Sequence, residues 1–153
     1  QATCAMPVLF QPIRLDGGIP YLDGGCADAI PWKRALEVGC DRVVVVLTRE
    51  RSYRKEPERM MPLFRRVYRK YPAFLEDLRT RAERYNESRK ELFQLEQEGR
   101  ILVIEPRDTR GFSRTERDRE KLLAMWQEGF FAGRKAVEAV RAFWTEPCLP
   151  EKL

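Results

Sequence analysis

Two Asp-Gly-Gly triplets, Asp16-Gly17-Gly18 and Asp23-Gly24-Gly25, set a carboxylate directly ahead of two residues that lack a Cβ. Asp followed by Gly is a common turn signal, so the triplets are cheap by themselves. The chain contains no histidine. This removes the usual general base of serine, threonine and cysteine hydrolases, and a Ser-His-Asp arrangement cannot be built from these residues. Any hydrolytic chemistry needs another base. A carboxylate serves only where partial burial raises its basicity and a short hydrogen bond aligns the hydroxyl it activates. The only serines are Ser52, Ser88 and Ser113, and none lies between glycines in a strand-to-helix elbow. Nor is there a glycine-rich stretch suited to an oxyanion loop.

The four cysteines, Cys4, Cys26, Cys40 and Cys148, are scattered without Cys-x-x-Cys spacing. They read as reduced structural thiols, and no metal or other cofactor is expected. With 153 residues, 43% hydrophobic and 35% charged, the chain suits one globular, cytoplasmic domain with a real core. No apolar run approaches the roughly 18 residues needed to span a bilayer, and no signal-peptide pattern is visible. The net charge of +5 is local: residues 49 to 90 hold 14 Lys and Arg against 7 Asp and Glu. That segment favours anionic partners, whereas the rest is slightly acidic.

The elements that must position these groups follow from the pattern. Pro12 to Leu15 and Ile19 to Leu22 flank Asp16-Gly17-Gly18 as a β-hairpin would, which makes Asp16 a turn residue. Asp23 then falls at a strand's carboxyl end. Pro31 opens a helix that Gly39 closes. Val43 to Leu47 is an unbroken apolar run, expected of a strand covered on both faces, and with the preceding strand and helix it predicts a βαβ unit. Met60, Leu63, Phe64, Val67, Tyr68 and Tyr71 recur at helical spacing opposite Arg65, Arg66, Arg69 and Lys70, a basic amphipathic helix whose apolar stripe should pack against the sheet. A second long helix runs from Pro72 to the stop signal Gly99, with Leu75, Leu78, Ala82, Tyr85, Leu92 and Leu95 as core contacts. Ile101 to Ile104 reads as another buried strand. Thr115 is the expected cap of a last helix whose inward face would draw on Leu122, Leu123, Trp126, Phe130, Val137, Val140 and Phe143.

In order and spacing, several segments together resemble the C-terminal half of a bacterial patatin-like phospholipase, in the branch with a helical C-terminal extension. They are Ala2-Thr3-Cys4-Ala5-Met6-Pro7, Tyr21-Leu22-Asp23-Gly24-Gly25 with Asp28 and Pro31, Lys33 to Glu37, and Cys40 to Arg49. Glu83-Arg84-Tyr85-Asn86 and Phe112-Ser113-Arg114 ahead of Asp118 extend the match. The resemblance implies an α/β fold: part of a patatin-like mixed or parallel sheet covered by helices. Residues 1–48 would belong to the catalytic core, 49–99 would form a basic helical insertion, and 100–153 a strand plus a long C-terminal helix. It also implies a Ser-Asp dyad in which Asp23 orients and deprotonates the serine, supported by Gly24 and Gly25, with Asp28 and Pro31 fixing the turn and helix start. The serine and its oxyanion loop would lie in a preceding N-terminal half, because this chain enters the pattern at Gln1. The implied substrate is a phospholipid or another fatty-acyl ester.

Beside that enzyme stands a reading from a different class. The basic segment could act as a non-catalytic module that lies on an anionic phospholipid surface or contacts nucleic-acid phosphates. Interspersed Glu and Asp, and the lack of a base-reading motif, weigh against nucleic acid.

Overall fold

The computed structural model describes residues 1–15, 17–113 and 116–145. Helices carry about half of the chain, and the strands form two small sheets. Strands β1 (Ile13–Leu15) and β2 (Ile19–Tyr21) make an antiparallel hairpin, with Leu15 opposite Ile19. Gly17 and Gly18 take φ of +80° and +96°, which a residue with a Cβ rarely adopts. The predicted hairpin is present; Asp16 itself lies outside the described residues.

Helix α1 (Trp32–Glu37) directly follows Pro31 and leads to β3 (Val43–Val46). Helix α2 (Met61–Val67) has Pro62 in its first turn, and α3 (Pro72–Gln97) leads to β4 (Ile101–Ile104). Helix α4 (Arg119–Thr145) is the longest element. Both glycine stops predicted from sequence have one physical cause. At α1 the Cys40 N–H reaches the Ala35 carbonyl and Gly39 takes φ +91°; at α3 Arg100 reaches Leu95 and Gly99 takes φ +71°. These paired bonds satisfy the last carbonyls of each helix and turn the chain into the strand that follows.

The predicted βαβ unit across residues 19–47 is not formed. β2 pairs with β1, whereas β3 runs parallel to β4, Val43 opposite Ile101 through Val46 opposite Ile104. The β-branched run was enough to specify a strand, but its partner comes from more than fifty residues downstream. Coverage on both faces also fails: Val45 is buried, yet Val46 is 69% exposed.

The chain divides into two compact units. One comprises Gln1–Pro31 and Arg54–Lys90, the other Trp32–Tyr53 and the residues from Glu91 onward, so α3 contributes to both. In the first unit, Cys26, Phe64, Tyr68 and Leu78 form a buried cluster, with Leu22, Met61, Phe74 and Leu75 packed against it. Tyr68 meets Phe74 edge to face at 5.0 Å, and its hydroxyl accepts the Val8 N–H at 2.9 Å. Only Phe64 and Tyr68 of the expected α2 stripe are buried; Met60, Leu63, Val67 and Tyr71 are exposed. Helix α2 spans seven residues, too few to carry that stripe along one face.

In the second unit α1 packs on β3 and α4 on β4. The expected inward face of α4 is corrected likewise: Phe143 is buried, while Leu122, Leu123, Trp126 (63% exposed), Phe130 and Val137 face outward. A four-residue strand is far shorter than a 27-residue helix and covers only part of its apolar arc. The α4 cap is Asp118, whose Oδ1 accepts the Glu120 and Lys121 N–H groups at 2.9 and 3.3 Å. Thr115, the expected cap, lies outside the described residues, as does Cys148. Among the described residues no helix is long and apolar enough to cross a membrane.

Candidate functional site

Asp23 stands two residues beyond the end of β2, at the entrance of a 3-10 turn, Gly24–Cys26. Leu22 before it and Cys26 after it both pack into the first unit's core, so the turn is pinned on either side of the carboxylate. The Asp23 N–H donates to the Ala5 carbonyl at 2.9 Å, which ties the turn to the N-terminal segment. Oδ1 accepts the Gly25 N–H at 2.8 Å. Among the described residues Oδ2 accepts no hydrogen bond, and the side chain is half-buried.

The two glycines differ. Neither adopts a positive φ among the described residues, so conformational freedom is not what they supply. A Cβ on Gly24 would meet nothing within 4 Å, but one on Gly25 would lie 3.2 Å from Asp23 Oδ1 and 3.6 Å from Arg81 Nη2. Close approach is the reason at Gly25 alone. Carboxylate and guanidinium therefore flank the same point above Gly25.

Arg81 and Arg84, both on α3, were not singled out by type or spacing as site residues, and the structure brings both to the turn. Arg81 Nε donates to the Gly25 carbonyl at 2.8 Å. Arg84 donates to the Ala27 carbonyl at 2.8 Å and to that of Cys26 at 3.3 Å. The signal for Arg84 lay in Glu83-Arg84-Tyr85-Asn86, a segment of the family resemblance. Asn86 of the same segment pairs with the Lys55 backbone, accepting its N–H at 2.8 Å and donating to its carbonyl at 3.0 Å. That exchange mimics a strand partner for the loop entering the first unit.

Burial pushes the Cys26 thiol up from its ordinary value, against the opposing pull of Arg81 and with a further push from Asp23. It is a packed thiol, not an activated one. Asp28 accepts the Ile30 N–H at 3.1 Å and so shapes the turn ahead of Pro31. A shallow hollow beside the turn is lined by Gly25, Asp28, Arg81, Arg84, Tyr85 and Ser88, among others. Ser88 is the serine that shares this unit with Asp23, and it is not bonded to the Asp23 carboxylate. Ser52 and Ser113 belong to the other unit.

A second polar cluster occupies the carboxyl ends of β3 and β4. Glu50 is 7% exposed, and its Oε2 accepts both the Thr109 N–H, at 3.1 Å, and the Thr109 hydroxyl. Those bonds hold the Glu50 carboxyl below its usual range despite the opposing effect of burial. Arg49 donates to the Thr109 hydroxyl at 3.0 Å and lies over the Tyr53 ring at 5.1 Å. Outside it, the exposed Arg110 fork brings Asp108 down to about 2. This cluster joins the loops after the two strands. Among the described residues no group of three or more His, Cys, Asp or Glu side chains could hold a metal ion.

The fold and its turn define a mixed α/β protein with a carboxylate displayed after a short strand. Residues 71–145 match the profile of a domain of unknown function (DUF6363), which takes in α3, β4 and α4. No curated protein matches the chain. The matched segment contains Arg81 and Arg84 and leaves Asp23 outside it.

Proposed function

We propose that this chain carries the aspartate half of a Ser-Asp dyad in a patatin-like lipid acyl hydrolase, a phospholipase or esterase whose serine lies on a preceding segment. The observation that carries the reading is the Asp23 carboxylate itself: one oxygen is fixed by the Gly25 N–H, and the other accepts nothing among the described residues. A serine hydroxyl placed at Oδ2 would be oriented by it and give up its proton as it attacks the ester carbonyl. As the ester C–O bond breaks, the proton taken up by Asp23 passes to the departing alcohol and the acyl group stays on serine; water, deprotonated by Asp23, then cleaves the acyl-serine bond, releasing the fatty acid and returning the proton to serine. The carboxylate needs a fixed direction for this work, because an aligned donor and acceptor are worth far more than a mobile pair. The patatin-like sheet and the division at residues 48 and 99 belong to the same proposal.

The test is Asp23→Ala in the polypeptide that also bears the serine, assayed on fatty-acyl esters and phospholipids. Hydrolysis should fall by about 1,000-fold or more with the fold retained. Near-normal turnover in a folded Asp23→Ala protein removes the assignment.

A second reading has its own observation in its favour. Arg65, Arg66, Arg69 and Lys70 are exposed beside the equally exposed Leu63 and Val67. Such a surface suits a non-catalytic module on anionic phospholipid, or a peripheral membrane contact of the enzyme. Flotation with vesicles containing phosphatidylserine, but not with neutral vesicles, is the expected result. Preference for duplex DNA over those vesicles would turn the reading toward nucleic acid.

A further inference from the structure

By charge pattern, Arg81 and Arg84 belong to a solvated basic face, but their bonds have a narrower purpose. Three consecutive carbonyls, of Gly25, Cys26 and Ala27, accept from these two guanidinium groups. Carbonyls at the end of so short a turn have no partner within it. Because the arginines are three residues apart, they project from one side of α3 toward the turn. Arg84 is braced in turn, donating to the Asp77 carbonyl at 2.8 Å with the Asp77 carboxylate 3.3 Å away.

Resting on the dyad reading, we infer that Arg81 is a positioning residue for Asp23 and that Arg84 secures the two peptides that follow. Gly25 is the link. Its lack of a Cβ lets the Asp23 carboxylate and the Arg81 guanidinium close in on it, and its N–H is the donor that fixes Asp23 Oδ1. With its carbonyl bonded to Arg81, the residue is held on both sides, and the direction of Oδ2 is held with it. Arg81 acts through this backbone contact, since no ion pair joins it to Asp23 among the described residues. The consequence reaches the family match. Helix α3, which lies within the DUF6363 segment, is part of the Asp23 site and not an appended module.

Two measurements test this. In the present chain, amide exchange by NMR should show Gly25 exchanging about 10-fold faster in Arg81→Leu than in wild type, with its amide resonance displaced. Arg81→Lys should restore much of the protection. Arg79→Leu, which removes a surface partner of Glu76 on the same helix, should change neither. In the serine-bearing polypeptide, Arg81→Leu should lower kcat by about 10- to 100-fold at unchanged KM, with rescue by Arg81→Lys. Unchanged Gly25 exchange in Arg81→Leu overturns the clamp. Should that variant not fold, Arg81→Gln decides by the same exchange measurement, slower exchange than wild type or no change counting against the inference. Loss of turnover in Asp23→Asn with normal turnover in Arg81→Leu overturns the positioning role and leaves the dyad standing. Normal turnover in Asp23→Asn overturns the dyad, and the positioning role with it.

Discussion

Asp23 and Glu50 are both carboxylates just beyond the carboxyl end of a strand, yet they are built for opposite ends. Glu50 is buried, and Thr109 gives it two donors on a single oxygen. Asp23 is half-buried and receives one donor, on Oδ1. At Glu50 the hydroxyl and N–H of Thr109 bond to the acid itself; around Asp23 the arginines bond to the backbone that carries it. A carboxylate consumed by local bonds is a latch, whereas one whose support is transferred to the main chain keeps an oxygen for something else. Carbonyls that accept from Arg81 and Arg84 fix geometry without occupying the acid.

The largest contrast should appear in turnover. In the polypeptide that the proposed dyad requires, Asp23→Ala should cost about 1,000-fold or more in ester hydrolysis, while Glu50→Gln should stay within a few-fold. Equal losses would erase the distinction between the two acids. Gly25→Ala comes next, with turnover reduced by about 10- to 100-fold, because its methyl would press on Asp23 Oδ1. Gly24→Ala should be tolerated at both activity and stability, and a matching loss there would show that dihedral freedom matters after all.

For stability the order reverses. Thr109→Val should destabilise the folded chain by about 1–2 kcal/mol in denaturant titration, since it strips a donor from a buried carboxylate. The same bonds set a pH dependence. The Glu50 carboxyl lies below its ordinary 4.5 in the folded chain, so its stabilisation is present above that value and is lost as pH falls through the lowered one. The difference in unfolding free energy between wild type and Glu50→Gln should therefore shrink progressively below about pH 4.5. A difference that grows on acidification would place the bond energy elsewhere. The smallest effect belongs to Arg79→Ala, an exposed pair with Glu76, which should change stability by less than about 0.5 kcal/mol.

Local signals in this chain were read well where one physical cause acted over a few residues. Gly39 and Gly99 end their helices because the following amide must reach back past a left-handed residue, and Gly17 and Gly18 close a hairpin for a related reason. The periodicity of α4 announced an amphipathic helix but not which sector of its wide apolar arc β4 would cover, so Phe143 is buried and Trp126 is not. Asp118, the residue directly before the first turn of α4, supplies its cap. The position of Asp23 just past β2 was legible from the hairpin around Asp16-Gly17-Gly18. The roles of Arg81 and Arg84 were not, because a guanidinium in a basic run looks alike whether it faces water or a carbonyl.

The sequence by itself determined where helices stop, which run is a strand, and where a carboxylate sits against two small residues, all of which depend on neighbours within one or two turns. Tertiary structure alone decided that β3 pairs with β4 rather than with β2 and that α3 supports the Asp23 turn. Those outcomes depend on groups 50 or more residues apart in sequence that come within about 3 Å in space, a distance at which hydrogen bonds act and which no local pattern encodes.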